Sequence, residues 1–221
     1  MGLQKLLPRS IRMVFFYVKS KKIAANNQLS REQKIAAIHK KESGWVGDIS
    51  RMLKGYGFQD TAIVIGMKDM AYIYVSLQSP DDALRYIDAA EPYFPELLKR
   101  KSNSEILFHS NFLAAYYNGK AYTQKGMIDK SYMQFDKLNL DLNESIAKDP
   151  SNSTLQELYG YINNQIYKDY ARMFCHFSDS PLLQSTISDS VEKQLRTFEE
   201  RDPGNSQIEK LIEYWTLKKF L

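Results

Sequence analysis

An all-α fold of stacked helical hairpins is what this sequence predicts, and three observations predict it. Glycine and proline are scarce, 10 and 7 in 221 residues, so long uninterrupted helices are favoured. Helix-start signals, in which a Ser precedes Gln, Glu or Pro-Asp, recur along the chain. Apolar residues return at steps of three and four, and no segment reads as a strand. Hydrophobic residues make up 43% and charged residues 25%, a globular balance rather than a disordered one.

The chain divides by charge. Residues 1–41 carry ten Lys or Arg against one acid, Glu32, a net +9. The whole chain is +4, so the remainder is +4 − 9 = −5. Residues 1–58 therefore read as a basic helical region packed on a helical array over 59–221. The apolar run 13–18 is six residues, far short of the roughly 20 that span a bilayer. Residues 1–31, free of acids and bearing Arg, read first as an amphipathic helix of a basic domain. The same composition suits an organelle presequence, or a helix lying on a membrane surface.

The elements follow in order. Ser30 and Gln33 form a capping box that opens a helix holding Ile35 and Ile38, with Gly44 as its stop. A short helix is expected over 45–54, closed by Gly55 and Gly57. A long apolar-periodic helix covers about 60–77, absorbing the β-branched run at 61–65. Ser79-Pro80-Asp81-Asp82 starts the next helix, because Pro lacks only an unused N–H there and the acids meet the positive helix end. That helix is expected to stop near Pro92 and Pro95. A second capping box is read at Ser102–Glu105, opening a helix through Tyr122 that turns at Gly126. Helices over 128–148 and 153–177 follow, then two more opened by Ser180-Pro181 and by Ser206. The last carries Ile208, Leu211, Ile212 and Trp215 on one stripe, suited to cap an array or to form a homodimer contact.

Three helices share a spacing of four, three and five. They are Ala83, Ile87, Ala90, Pro95; Ser131, Phe135, Leu138, Asn143; and Val191, Leu195, Phe198, Pro203. The first three members of each set lie on one helix face, and the fourth is expected just past the end. Ala71 and Tyr74 precede the first set as Gly119 and Tyr122 precede the second, 48 residues on. A small residue at Ala71 or Gly119 lets the partner helix approach.

This pattern resembles the tetratricopeptide repeat, whose hairpins place small and aromatic residues in this order. The resemblance covers about 64–145 well and 186–203 in part. It implies a short right-handed superhelix of antiparallel hairpins with a C-terminal capping helix. The family period is about 34 residues. The surplus of 14 here is close to four helical turns, which a lengthened helix would absorb. The resemblance further implies a concave surface lined by the first helix of each hairpin. Its positions here are Lys68, Tyr72 and Val75, then Tyr116, Lys120 and Thr123, then Asn163, Tyr167 and Tyr170. Such a groove suits a protein or peptide partner.

Chemistry is poorly represented. Cys175 stands alone, which fits a reducing, cytoplasmic setting, and its neighbour His176 points about 100° away on a helix. His39, His109 and His176 lack partners at metal-ligand spacing, so no metal or cofactor is expected. No phosphate loop or nucleophile elbow occurs. The reading is therefore a non-enzymatic scaffold or adaptor. The alternatives are a regulator that meets nucleic acid through the basic region, loosely helix-turn-helix over 30–58, and a membrane-peripheral or organellar adaptor.

Overall fold

The computed structural model describes residues 7–46, 61–100 and 104–177, with positions 195–196, 199–200, 203–204, 206, 208–210 and 212–213. Of Ile128, Asp129, Tyr132, Tyr167, Lys168 and residues 170–177 only the backbone is described. Eight α-helices occur among these residues: α1 (Arg9–Ala24), α2 (Arg31–Trp45), α3 (Thr61–Ser76), α4 (Pro80–Ala90), α5 (Phe94–Arg100), α6 (Glu105–Gln124), α7 (Ile128–Lys148) and α8 (Ser153–Phe177). A 3₁₀ turn, Glu91–Tyr93, joins α4 to α5, and no strand occurs among the described residues. The chain forms two compact units, Met1–Leu158 and Tyr159–Leu221.

Local chemistry accounts for the helix starts. The Gln33 amide donates to Ser30 Oγ at 3.3 Å while the Ser30 amide donates to Gln33 Oε1 at 2.8 Å. This closes the capping box that opens α2 and satisfies two amides left without helical partners. Before α6 the cap is Ser104, which accepts from the Leu107 amide at 3.4 Å, two residues later than expected. Ser79 precedes Pro80 at the start of α4, but its hydroxyl donates to the Asp82 carboxylate instead of capping an amide.

Three boundaries differ from expectation. Gly44 lies inside α2, which continues to Trp45. The Trp45 ring is buried under Phe15 at 5.6 Å and Lys19 at 5.2 Å, and that burial outweighs the roughly 1 kcal/mol helix penalty of glycine. The rest of the helix expected over 45–54 lies outside the described residues. Asn143 falls inside α7 instead of past its end. The 48-residue spacing does not come from a longer α4, which is 11 residues. The 3₁₀ turn, α5 and the 20-residue α6 take up the extra chain.

In the first unit α3 packs on α4 and α6 packs on α7. Further contacts join α1 to α2 and α3, and join α6 to both α3 and α4. The turns inside the two pairs share one design. The Ser79 amide donates to the Tyr74 carbonyl at 2.8 Å, and the Met127 amide donates to the Tyr122 carbonyl at 3.0 Å. Each closes over a residue with positive φ, Gln78 at 52° and Gly126 at 70°.

The spacing read from the sequence falls on the core. Ala71, Tyr74, Ala83, Ile87, Ala90, Ser131, Phe135 and Leu138 are all buried. Two glycines admit neighbours that a Cβ would exclude. At Gly119 a Cβ would sit 2.4 Å from the Phe135 ring of α7, and at Gly66 one would sit 2.7 Å from Met13 of α1. In the second unit Ile162, Asn163, Ile166 and Asp169 make one buried stripe of α8, and Leu195 and Ile208 are also buried. Ile212 is half-buried, while Leu211, Trp215, Val191 and Phe198 lie outside the described residues. No helix among the described residues is long and apolar enough to cross a membrane.

Candidate functional site

The helices α1, α3 and α6 lie in succession, and each presents a tyrosine to its neighbour. Tyr72 on α3 is 49% exposed, and its ring rests on Tyr117 of α6 with centroids 5.5 Å apart. Tyr17 on α1 lies close enough to Asp69 and Tyr72 for their charges to matter. Its hydroxyl pKa is raised, first by burial and then by those two groups. Asp69 receives an ion pair from Lys68 at 2.6 Å. The result is a row in which Tyr72 is half-exposed, Tyr117 is buried beneath it, and Tyr17 and the Asp69 carboxylate lie nearby.

The expected groove residues separate into those on this row and those behind it. Tyr72 stands on it. The ammonium of Lys68 is mostly buried against Asp69. Tyr116 is buried, stacked on Phe135 at 6.0 Å and against Tyr117 at 5.4 Å. Lys120 donates to the Tyr116 hydroxyl at 3.3 Å. The Thr123 hydroxyl lies 2.6 Å from that of Ser131, within the α6/α7 seam. Val75 is buried, and its carbonyl accepts from Gln124 at 2.8 Å. Asn163 is buried in the second unit. The side chains of Tyr167 and Tyr170 lie outside the described residues.

Tyr17, Asp69 and Tyr117 were not singled out from the sequence. Tyr117 differs from Tyr116 by one position, a rotation of about 100°. The signal that separates them is Gly119. Its missing Cβ draws the Phe135 ring onto α6, and Tyr116 turns toward that ring.

A second cluster joins α2 to α3 and α4 around an open cleft of about 280 Å³ lined by His39, Glu42, Ser43, Asp82 and Arg85. The Arg85 guanidinium grips Glu42 with both nitrogens, at 2.6 and 2.9 Å. Glu42 is only 7% exposed, whereas Arg85 is 45% exposed. The Tyr74 hydroxyl donates to Glu42 at 3.3 Å. His39 meets Asp82 at 2.9 Å, and Ser79 donates to the same carboxylate at 2.7 Å. Tyr74 and Tyr86 stack with centroids 5.6 Å apart, and the Tyr86 hydroxyl is buried without a well-formed hydrogen bond. Burial, then the Glu42 charge, pushes both phenol pKa values well above their ordinary range. Hydrogen bonding to Glu42 raises that of Arg85, so this cation stays charged. His39, Glu42, Asp82 and Arg85 each find a partner within the cleft, which makes it a clasp between helices.

Among the described residues no group of three or more His, Cys, Asp or Glu is placed to hold a metal ion. No family model matches the chain, and neither does any curated protein or solved structure.

Proposed function

We propose that this chain is a non-enzymatic scaffold that binds a protein or peptide across the successive helices α1, α3 and α6. The observation that carries the reading is Tyr72, half-exposed and seated on Tyr117 with Tyr17 alongside. The Tyr72 ring, seated on the buried Tyr117, offers an apolar face for stacking and a hydroxyl for a peptide backbone, at the cost of few side-chain rotors. Tyr116, held by Lys120, packs against Tyr117 from behind, so the floor under Tyr72 is in place before a partner arrives. Stacked hairpins forming a right-handed superhelix of the tetratricopeptide kind would extend this face into a groove.

Selection of a displayed random-peptide library on the full chain tests the reading. Enriched peptides should lose at least about tenfold in affinity for the Tyr72→Ala protein, as expected for a tyrosine anchor. Circular dichroism should be unchanged, because Tyr72 projects from the surface. Peptides that bind the folded variant equally well would remove Tyr72 from the site. A library from which nothing enriches would count against the scaffold itself.

A further inference from the structure

We propose that the outer face of α1 rests on an anionic lipid surface, which makes this chain a peripheral membrane binder. α1 has two apolar faces; the fold buries one and uses the other only where Phe15 and Lys19 lie over the Trp45 ring. Met13, Phe16 and Ser20 are buried on the inner side. On the outer side Ile11, Val14, Phe15 and Val18 remain 41–48% exposed. At about 100° per residue these four fall within a stripe about 100° wide, centred opposite the buried trio. Four large apolar side chains held in line on a surface helix are more than scattered exposure.

Charge selects the occupant. Lys19 borders the stripe on one side, Lys21 on the other, and Lys22 continues it at the C-terminal end. Lys21 and Lys22 are exposed, and residues 1–31 contain no Asp or Glu. An apolar strip with lysines along both edges matches a boundary that is apolar within and anionic at its rim. Lysine stems lie along such a boundary while their ammonium groups reach lipid phosphates. A nucleic acid would satisfy the lysines but leave four apolar side chains facing phosphate and water. The centre of the stripe lies about 110° around α1 from Tyr17 and its near edge, Val14, about 60°, so the stripe borders Tyr17 without including it.

Vesicle flotation with the full chain tests the proposal, comparing pure phosphatidylcholine with vesicles holding roughly 30 mole per cent phosphatidylserine. The chain should float with the anionic vesicles and not with the neutral ones. Each lysine contributes about fivefold to partitioning, so Lys21→Ala with Lys22→Ala should lower it about 25-fold at low salt. Val14→Ser with Val18→Ser should lower it at least about tenfold with helicity unchanged. A Val18→Trp protein gives a second reading that does not rest on loss of function, because its added emission should shift to the blue on anionic vesicles. Absence of binding, or of the blue shift, overturns the proposal. So does anionic binding that ignores the Val14 and Val18 changes, since charge alone would then explain it. Duplex DNA binding by a chain that leaves vesicles alone would assign the lysines to nucleic acid. A dimer that Val14→Ser with Val18→Ser dissociates, again without vesicle binding, would assign the stripe to a second copy.

Discussion

The two helix pairs of the first unit are held by opposite means. The α3/α4 pair is clasped to α2 by charge, through Arg85, Glu42, Asp82 and His39. The α6/α7 pair is closed by shape, through a phenyl ring pressed where Gly119 has no side chain. Shape complementarity fails abruptly when an atom is added, since a packed interior has no room to give. A charge clasp fails when a partner is removed and a buried ion is left behind. The charge clasp also adjoins the buried phenols Tyr74 and Tyr86, whose pKa values are raised, whereas no titrating group takes part in the ring-on-glycine contact.

The contrast is sharpest for glycine. Gly119→Ala places a methyl against a ring wedged between helices. It should destabilise by about 2–3 kcal/mol despite the better helix propensity of alanine. Phe135→Leu in the same chain should restore part of that loss. Gly66→Ala meets Cγ of the fully buried Met13, whose unbranched side chain can repack more readily than a ring, so its cost should be smaller, about 1 kcal/mol. Urea denaturation of the two variants measures the difference directly, and equal losses would show that the α6/α7 seam is not a tight fit.

The clasp should break unevenly. Arg85→Ala strands Glu42, which is nearly buried, and should cost about 2 kcal/mol. That figure lies below the range for fully buried pairs because Arg85 is half in water. Glu42→Ala leaves only the better-solvated cation and should cost about half as much. A double-mutant cycle with a coupling energy near zero would show that the pair is ornamental.

The smallest effect is set by pH. Tyr74 and Tyr86 have folded-state pKa values raised above the ordinary 10.0. A raised value means the folded state holds the proton more tightly than the unfolded chain. This stability is fully present below about pH 10 and is lost as pH rises beyond it. Denaturant midpoints should be level between about pH 8 and pH 9 and fall above pH 10, less steeply in Tyr74→Phe. The tyrosinate absorbance of these two rings should emerge only with unfolding.

Local signals were legible in the sequence. The Ser30 box, the ends of α7 and α8, and the buried positions from Ala71 to Leu138 all follow from residues within one or two helical turns of each other. The clasp was not. Glu42 and Arg85 are 43 residues apart, and nothing near either marks the other as its partner. Within the proposed site, Tyr72 was reached through the tetratricopeptide resemblance, which sets it on the first helix of a hairpin. Tyr117 was not, because choosing between adjacent tyrosines requires knowing that Phe135 leans on Gly119. The helix α5 was hidden by Pro92 and Pro95, which read as a stop and in fact occupy a 3₁₀ turn and the first turn of a new helix.

The turn at Gln78 has a consequence for how the first unit holds tension. A left-handed residue other than glycine costs about 1–2 kcal/mol, and the equivalent position in the next pair, Gly126, carries none of it. Gln78 is followed at once by Ser79, whose hydroxyl is tied to Asp82, the carboxylate that also holds His39 and Arg85. The left-handed turn and the clasp therefore meet at one carboxylate, so replacing Asp82 removes the Ser79, His39 and Arg85 contacts together and leaves the turn to its backbone bond with Tyr74.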